Sequence, residues 1–199
     1  IKRLCMSKIA LGILISGRGS NMEAIIKACQ ANQINATVNV VISDKRDAKG
    51  IEIAKQLGIT TFVLDIKDFS SKQEYEDDIC RILKGCSVQL LCLAGYMKIV
   101  GETILEAFKH RVINIHPSLL PAFKGLNAQK QALDYGESFA GCSVHYVDDV
   151  LDGGPLILQD IVAVSAEDTE ETLSEKILEK EHSLYPRAIQ KVLESLSIK

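Results

Sequence analysis

Short, unbroken apolar runs alternate with amphipathic segments through the first two-thirds of this chain, and that alternation limits the folds open to it. "IALGILIS" at residues 9–16 has no polar interruption before its last residue and stops at Gly17, as a strand buried on both faces does. "SNMEAIIKACQA" then reads as a helix, with Ser20 at its N-cap and Glu23 three residues on completing a capping box. "ATVNVVIS" at 36–43 is a second strand, and "AKGIEIAKQLG" a helix closed by Gly58. "TTFVLD" gives a short third strand. "KQEYEDDICRILKG" gives a helix with Tyr75, Ile79, Ile82 and Leu83 on its apolar side. "VQLLCLAG" at 88–95, "ETILEAFK" and "RVINIH" continue the series as strand, helix and strand. The expectation is an α/β fold: a Rossmann-like, mostly parallel sheet flanked by helices on both faces.

The rhythm then changes. "CSVHYVDD" and "PLILQDIVAV" are separated only by "VLDGG", too short for a crossover helix, so they are expected to form an antiparallel hairpin extending the sheet. From Thr169 a long C-terminal helix carries Leu173, Ile177, Leu184, Ala188 and Val192 at helical spacing, with Pro186 expected to kink or divide it. With 199 residues and neither repeat nor linker, a single domain over 1–199 is the expectation.

Bulk properties exclude several functions. A formal net charge of -3 argues against a protein that grips nucleic-acid phosphates along a basic face. No apolar run reaches the length of a membrane span. The N-terminus sets basic residues ahead of an apolar run. That run passes straight into a glycine-rich turn without a small-residue cleavage pattern, so a first buried strand is expected and not a signal peptide. The start at Ile1 in place of a methionine points to an N-terminus that is trimmed or carries added residues. Cys5, Cys29, Cys80, Cys86, Cys92 and Cys142 form no C-x-x-C pair and have no histidine at ligand spacing. Most of them sit within apolar patterns and read as small core residues in a reducing cytosol, with neither disulfide framework nor metal site expected.

In a parallel α/β sheet, ligands gather outside the carboxyl ends of the strands, and four polar clusters fall there. "SGRGSN" (16–21) offers a tight turn and the free N–H groups of a helix start, which suits a phosphate; a plain strand-to-helix turn would look the same. Its spacing is neither G-x-G-x-x-G nor a Walker loop. "AGYMKIV" (94–100) could line a slot for a flat ligand or simply pack on its neighbour. In "NIHPSLLP" (114–121), side-chain alternation puts Asn114 and His116 on one side of the strand and Ile115 on the other. An amide and an imidazole side by side can donate to an oxyanion and move a proton. "DDVLDGGP" (148–155) is ordinary hairpin chemistry unless Asp152 lies beside His116. His110, His145 and His182 match no constellation and are expected to hold surface, sheet-face and helix positions.

Taken together and in this order, "ISGRGSN", "LAGYMKIV", "NIHPSLLP" and "LDGGPLILQ" closely resemble the phosphoribosylglycinamide formyltransferase family of purine synthesis. The similarity extends to "KEHSLYP" in the last helix. It implies formyl transfer from 10-formyltetrahydrofolate, as co-substrate, to the amine of glycinamide ribonucleotide, with no metal. It further implies small-molecule substrates, no nucleic acid, no membrane, and a cytoplasmic monomer or homodimer. Gly19, Ser20 and Asn21 match the family's phosphate loop, and Glu181 matches a helix carboxylate near the sugar-glycinamide substrate. Met97, Lys98, Ile99 and Val100 match the pterin pocket, and Lys72 falls where the family often has an arginine near the folate. Asn114, His116 and Asp152 match the catalytic set, with Asn114 also beside the folate, and a cis Leu120–Pro121 bond is implied. Residues 1–100 would form a phosphate-binding half and 101–199 a catalytic and folate-binding half. The related methionyl-tRNA formyltransferases and formyltetrahydrofolate hydrolases share the Asn–His–Asp set but normally add a domain for which this length leaves no room. "PAFKGLNAQKQAL" departs from the common "PKYPGLHTHRQAL" form.

Overall fold

A computed structural model describes residues 8–197. Cys5 and the basic N-terminal residues weighed as a signal peptide lie outside the described residues. The elements run β1 (Ile9–Ile15), α1 (Ser20–Gln30), β2 (Ala36–Ser43), α2 (Lys49–Gln56), β3 (Thr60–Val63), α3 (Lys72–Gly85), β4 (Leu90–Leu93), α4 (Glu102–Ala107), β5 (Val112–His116), α5 (Ala128–Asp134), β6 (Phe139–Tyr146), β7 (Leu156–Ala163) and α6 (Glu170–Ser197). The seven strands form one sheet in the order β3-β2-β1-β4-β5-β6-β7. Pairs from β3 to β5 are parallel, and β5–β6 and β6–β7 are antiparallel. The expected hairpin extension is therefore present. The strand order reverses between β1 and β4, the place where a sheet of this kind opens a crevice above its carboxyl edge.

The unbroken apolar strands feed cores on both faces. Leu11, Ile13 and Ile15 of β1 and Ile113 and Ile115 of β5 pack with α1, α2 and α6. Leu14 of β1, Leu91 and Leu93 of β4 and Val112 of β5 pack with Tyr75, Ile79 and Leu83 of α3 and with Ile104 of α4. Asn114 and His116 alternate with Ile113 and Ile115, so they face the α3/α4 side.

Two local expectations are corrected. Ser20 does not cap α1. Gly19 does, in the left-handed conformation (φ 76°), with no side-chain cap bond, and its carbonyl takes the Glu23 N–H at 2.9 Å. The Ser/Glu pairing occurs instead at α3, where Ser71 Oγ accepts from Glu74 N and Glu74 Oε2 accepts from Ser70 N. Pro186 does not divide the last helix, which is continuous across it. Leu184, Tyr185, Ala188 and Ile189 around the proline are fully buried, and Tyr185 Oη donates to the carbonyls of Leu93 and Ile113. This packing holds the helix together across the N–H that proline lacks. α5 and a 3-10 turn at Ile66–Asp68 stand outside the expected elements. Among the described residues, no helix is long and apolar enough to cross a membrane.

Candidate active site

The carboxyl edge of the sheet gathers most of the polar clusters. After β1 the chain turns through Gly17, Arg18 and Gly19 into α1. A Cβ on Gly19 would stand 2.7 Å from Gly50 Cα, and Gly50 N–H donates to the Gly17 carbonyl at 3.0 Å. Gly50, at the start of α2, thus buttresses the loop, and two glycines are needed because two backbones touch. The first-turn N–H groups of α1 point out of this loop with no carbonyl one turn earlier to receive them, which makes an anion cradle. Asn21 adds a contact across the chain: its Nδ2 donates to Glu181 Oε2 of α6 at 2.7 Å. Burial raises the Glu181 carboxyl above the usual range, opposed by the bond from Asn21. Glu181 is 7% exposed, so this carboxylate is withdrawn from bulk water beside the cradle.

The segment after β4 is tied to that loop. Ser16 N–H donates to Gly95 O at 3.1 Å, and Ser16 Oγ accepts from Met97 N–H at 2.8 Å. Met97 and Ile99 stand well exposed, as an apolar ligand surface requires. Val100, by contrast, is buried in the α3/α4-side core, and Lys98 Nζ reaches to 3.9 Å from Asp44 Oδ2. The Val100 side chain is thus turned away from a ligand, whereas the Lys98 side chain stays 38% exposed. Lys72, on α3, lies 3.6 Å from Glu76 Oε1.

At the end of β5 the expected pair acquires company. His116 Nε2–H donates to Phe123 O at 2.9 Å, and its Nδ1 lies 3.5 Å from Asp152 Oδ2. Asp152 also accepts the Gly125 N–H at 2.9 Å. The carboxylate and the imidazole are both nearly buried, with side chains 8% exposed. Asp152 sits at φ 48°, a conformation that Asp tolerates better than most residues. The glycines after it have a reason too, because a Cβ on Gly154 would overlap the Tyr146 carbonyl. The "DGG" turn therefore folds the β6–β7 connection back over the sheet and delivers Asp152 to His116.

His145, expected to be an ordinary sheet-face residue, belongs to this cluster. It is paired across the strands with Asn114, and Asn114 Nδ2 lies 3.2 Å from its Nε2. His145 Nδ1–H donates to the Tyr146 carbonyl, which leaves Nε2 as the acceptor for the Asn114 amide. Burial lowers the His145 pKa, keeping the ring neutral in that role. Its Nε2 is 3.6 Å from Asp152 Oδ1, so the carboxylate sits between two imidazoles. Ser143, opposite His116, fixes the following turn: its Oγ donates to Ser118 O and accepts from Leu120 N–H and Gln159 Nε2. The Leu120–Pro121 bond is cis, as the resemblance implied. Neither His145 nor Ser143 carries a local sequence signal; only the β5–β6 register finds them. Among the described residues, no group of three or more His, Cys, Asp or Glu could hold a metal ion.

Comparison with known proteins bears on this arrangement. The formyl transferase family model matches residues 8–189. The phosphoribosylglycinamide formyltransferase of Escherichia coli (strain K12) is 43% identical over 177 residues, covering 89% of this chain and 84% of that protein. The Bacillus subtilis (strain 168) protein of the same name is 40% identical over 188 residues, covering 94% and 95%. The crystal structure of glycinamide ribonucleotide transformylase 1 from Symbiobacterium toebii superposes with a TM-score of 0.93 at 44% identity, covering 96% of this chain and 90% of that one. The chain is also 41% identical to part of the trifunctional purine biosynthetic protein adenosine-3 of Gallus gallus, of which it spans 18%. On a match across most of its length, and on relatives of similar size at this identity, the chain belongs to the formyl transferase family.

Proposed function

We propose that this protein transfers the formyl group of 10-formyltetrahydrofolate to the amine of glycinamide ribonucleotide. The observation that carries the reading is the cluster at the end of β5, where Asn114 and His116 share a face and Asp152 lies 3.5 Å from the imidazole. The names of the length-matched relatives support the same acceptor and the same transferred group. In this reading Gly19, Ser20 and Asn21 take the phosphate on backbone N–H groups, and Glu181 receives the sugar-glycinamide part. Met97, Lys98 and Ile99, with the backbone of Val100, line the pterin pocket. Lys72 meets a folate carboxylate, as a point charge where an arginine would bind in a bidentate way.

The amine nitrogen attacks the formyl carbon, and the carbonyl electron pair moves onto oxygen. Asn114 commits one amide N–H to His145 Nε2 and keeps the second for this oxyanion. Both nitrogens of His116 already face protein groups, Phe123 O and Asp152. Its donation to the oxyanion requires the 121–127 segment to withdraw and Nε2–H to exchange Phe123 O for the new charge. Asp152 holds the imidazolium during this exchange. The carbon–nitrogen bond to the folate then breaks, and the proton shed by the attacking amine passes through water and Asp152 to the folate nitrogen. One oxyanion donor is worth about 3–4 kcal/mol, a hundredfold to a thousandfold in turnover.

The test is product identity. The protein is incubated with both substrates and the ribonucleotide is recovered by mass spectrometry. The expected product is the N-formylated ribonucleotide. Recovery of free formate with unmodified ribonucleotide would instead establish a hydrolase, and tight binding without turnover a sensor.

A further inference from the structure

We propose that Glu76 of α3 is a positioning residue for the formyl-donor pocket, its buried carboxylate fixing the far end of the 97–100 segment together with the Lys72 ammonium. The inference rests on the assignment of Met97–Val100 and Lys72 to the formyl donor made above. Glu76 is 4% exposed, an uncommon place for an acidic side chain unless it is paired. Its Oε1 accepts the Gly101 N–H at 2.8 Å and lies 3.6 Å from Lys72 Nζ, one helical turn earlier. A carboxylate taking a backbone N–H makes a charge-assisted bond, stronger than one between neutral groups. Gly101 is the N-cap of α4, so this bond satisfies a donor at the point where the pocket segment ends and the helix begins. The start of the same segment hangs on Ser16 through Met97 N–H. Met97 to Val100 therefore span two fixed points, one just after β1 and one on α3.

Gly101 supplies a second, independent observation. Its φ of -96° is open to any residue, so backbone freedom does not explain the glycine. Space does: a Cβ there would stand 2.7 Å from both oxygens of Glu76. The carboxylate and the missing side chain fit each other. An apolar residue at 76 would fill the space more cheaply but would leave Gly101 N–H without its acceptor and Lys72 without its anchor.

The experiment measures KM for each substrate and kcat in the wild type, Glu76→Ala, Glu76→Gln and Gly101→Ala, with calorimetric titration of a 10-formylfolate analogue. Glu76→Ala and Gly101→Ala should each raise the KM and the calorimetric Kd of the formyl donor about tenfold, the scale of one unsatisfied buried donor. The ribonucleotide KM should stay within about twofold, since the phosphate loop is not touched. Glu76→Gln keeps an acceptor oxygen for Gly101 and should recover most of the donor affinity. Equal rises in both KM values, or no rise in the donor's, overturn the positioning role. If Glu76→Ala does not fold, Gly101→Ala and Glu76→Gln decide the matter by the same split. A wild type inactive with both substrates would overturn the proposed reaction instead, so the two failures are distinguishable.

Discussion

Replacing Asp152 in two ways separates what its charge does from what its backbone does. In Asp152→Asn the left-handed conformation at φ 48° is retained at little cost, because Asn tolerates it, and the amide oxygen can still accept Gly125 N–H. Stability should stay within about 1 kcal/mol of the wild type. The chemistry should not survive. A carboxylate and an imidazolium at 3.5 Å attract by about 5 kcal/mol at an effective dielectric constant near 20, and desolvation offsets part of that. A net loss of about 3 kcal/mol during turnover corresponds to roughly a hundredfold fall in kcat. Asp152→Ala loses the same charge and also strains the turn. Alanine in the left-handed region costs about 1–2 kcal/mol, and the orphaned Gly125 N–H, partly open to water, costs about 1 more. For a chain of this size about 2–3 kcal/mol lowers Tm by roughly 5–10 °C. Steady-state kinetics and scanning calorimetry on both variants decide the issue. An Asn variant within threefold of wild-type kcat, to take about 0.7 kcal/mol as the margin, would refute the charge argument. Equal melting temperatures for the two variants would refute the backbone argument.

Two further outcomes concern the loop after β1 and the residues packed on it. The folded-state pKa of Glu181 is raised by burial, so its contribution to stability is greatest below the unfolded value of 4.5 and is lost as pH rises through the folded pKa. Glu181→Gln cannot ionise, so its Tm should exceed that of the wild type by a margin that grows as pH rises over that range, while its ribonucleotide KM increases; a gap independent of pH would contradict the linkage. Gly50→Ala places a Cβ 3.1 Å from both Gly17 O and Gly19 Cα and should spread the loop proposed to hold the phosphate, raising the ribonucleotide KM about tenfold with the formyl-donor KM unchanged; a shift in the donor KM alone would count against that role.

The sheet was legible because its strands are buried on both faces and so read as unbroken apolar runs; β2 and α3 begin and end where the pattern places them. Period-two alternation was enough to put Asn114 and His116 on one side. Other features depended on contacts far apart in sequence. His145 meets Asn114 across 31 residues through the antiparallel register of β5 and β6, and no local pattern encodes that register. Glu76 carries no local signal on its helix, because its partner lies 25 residues on at the start of α4. The cap of α1 was misread because Ser20 and Glu23 have capping-box spacing, whereas the close approach of Gly50 demands glycine in the preceding position. The last helix runs on through Pro186 without division for a related reason: tertiary packing around Tyr185 outweighs one missing hydrogen bond.

The central claim is that an amine, and not water, receives the formyl group at the Asn114–His116–Asp152 cluster. The most direct measurement is the rate of folate deformylation, followed by absorbance, with and without glycinamide ribonucleotide in wild-type protein and in His116→Ala. Deformylation should depend on the ribonucleotide, and the variant should be about a hundredfold slower or worse while melting cooperatively. Deformylation at the same rate without the ribonucleotide, or a variant as fast as the wild type, would contradict the account.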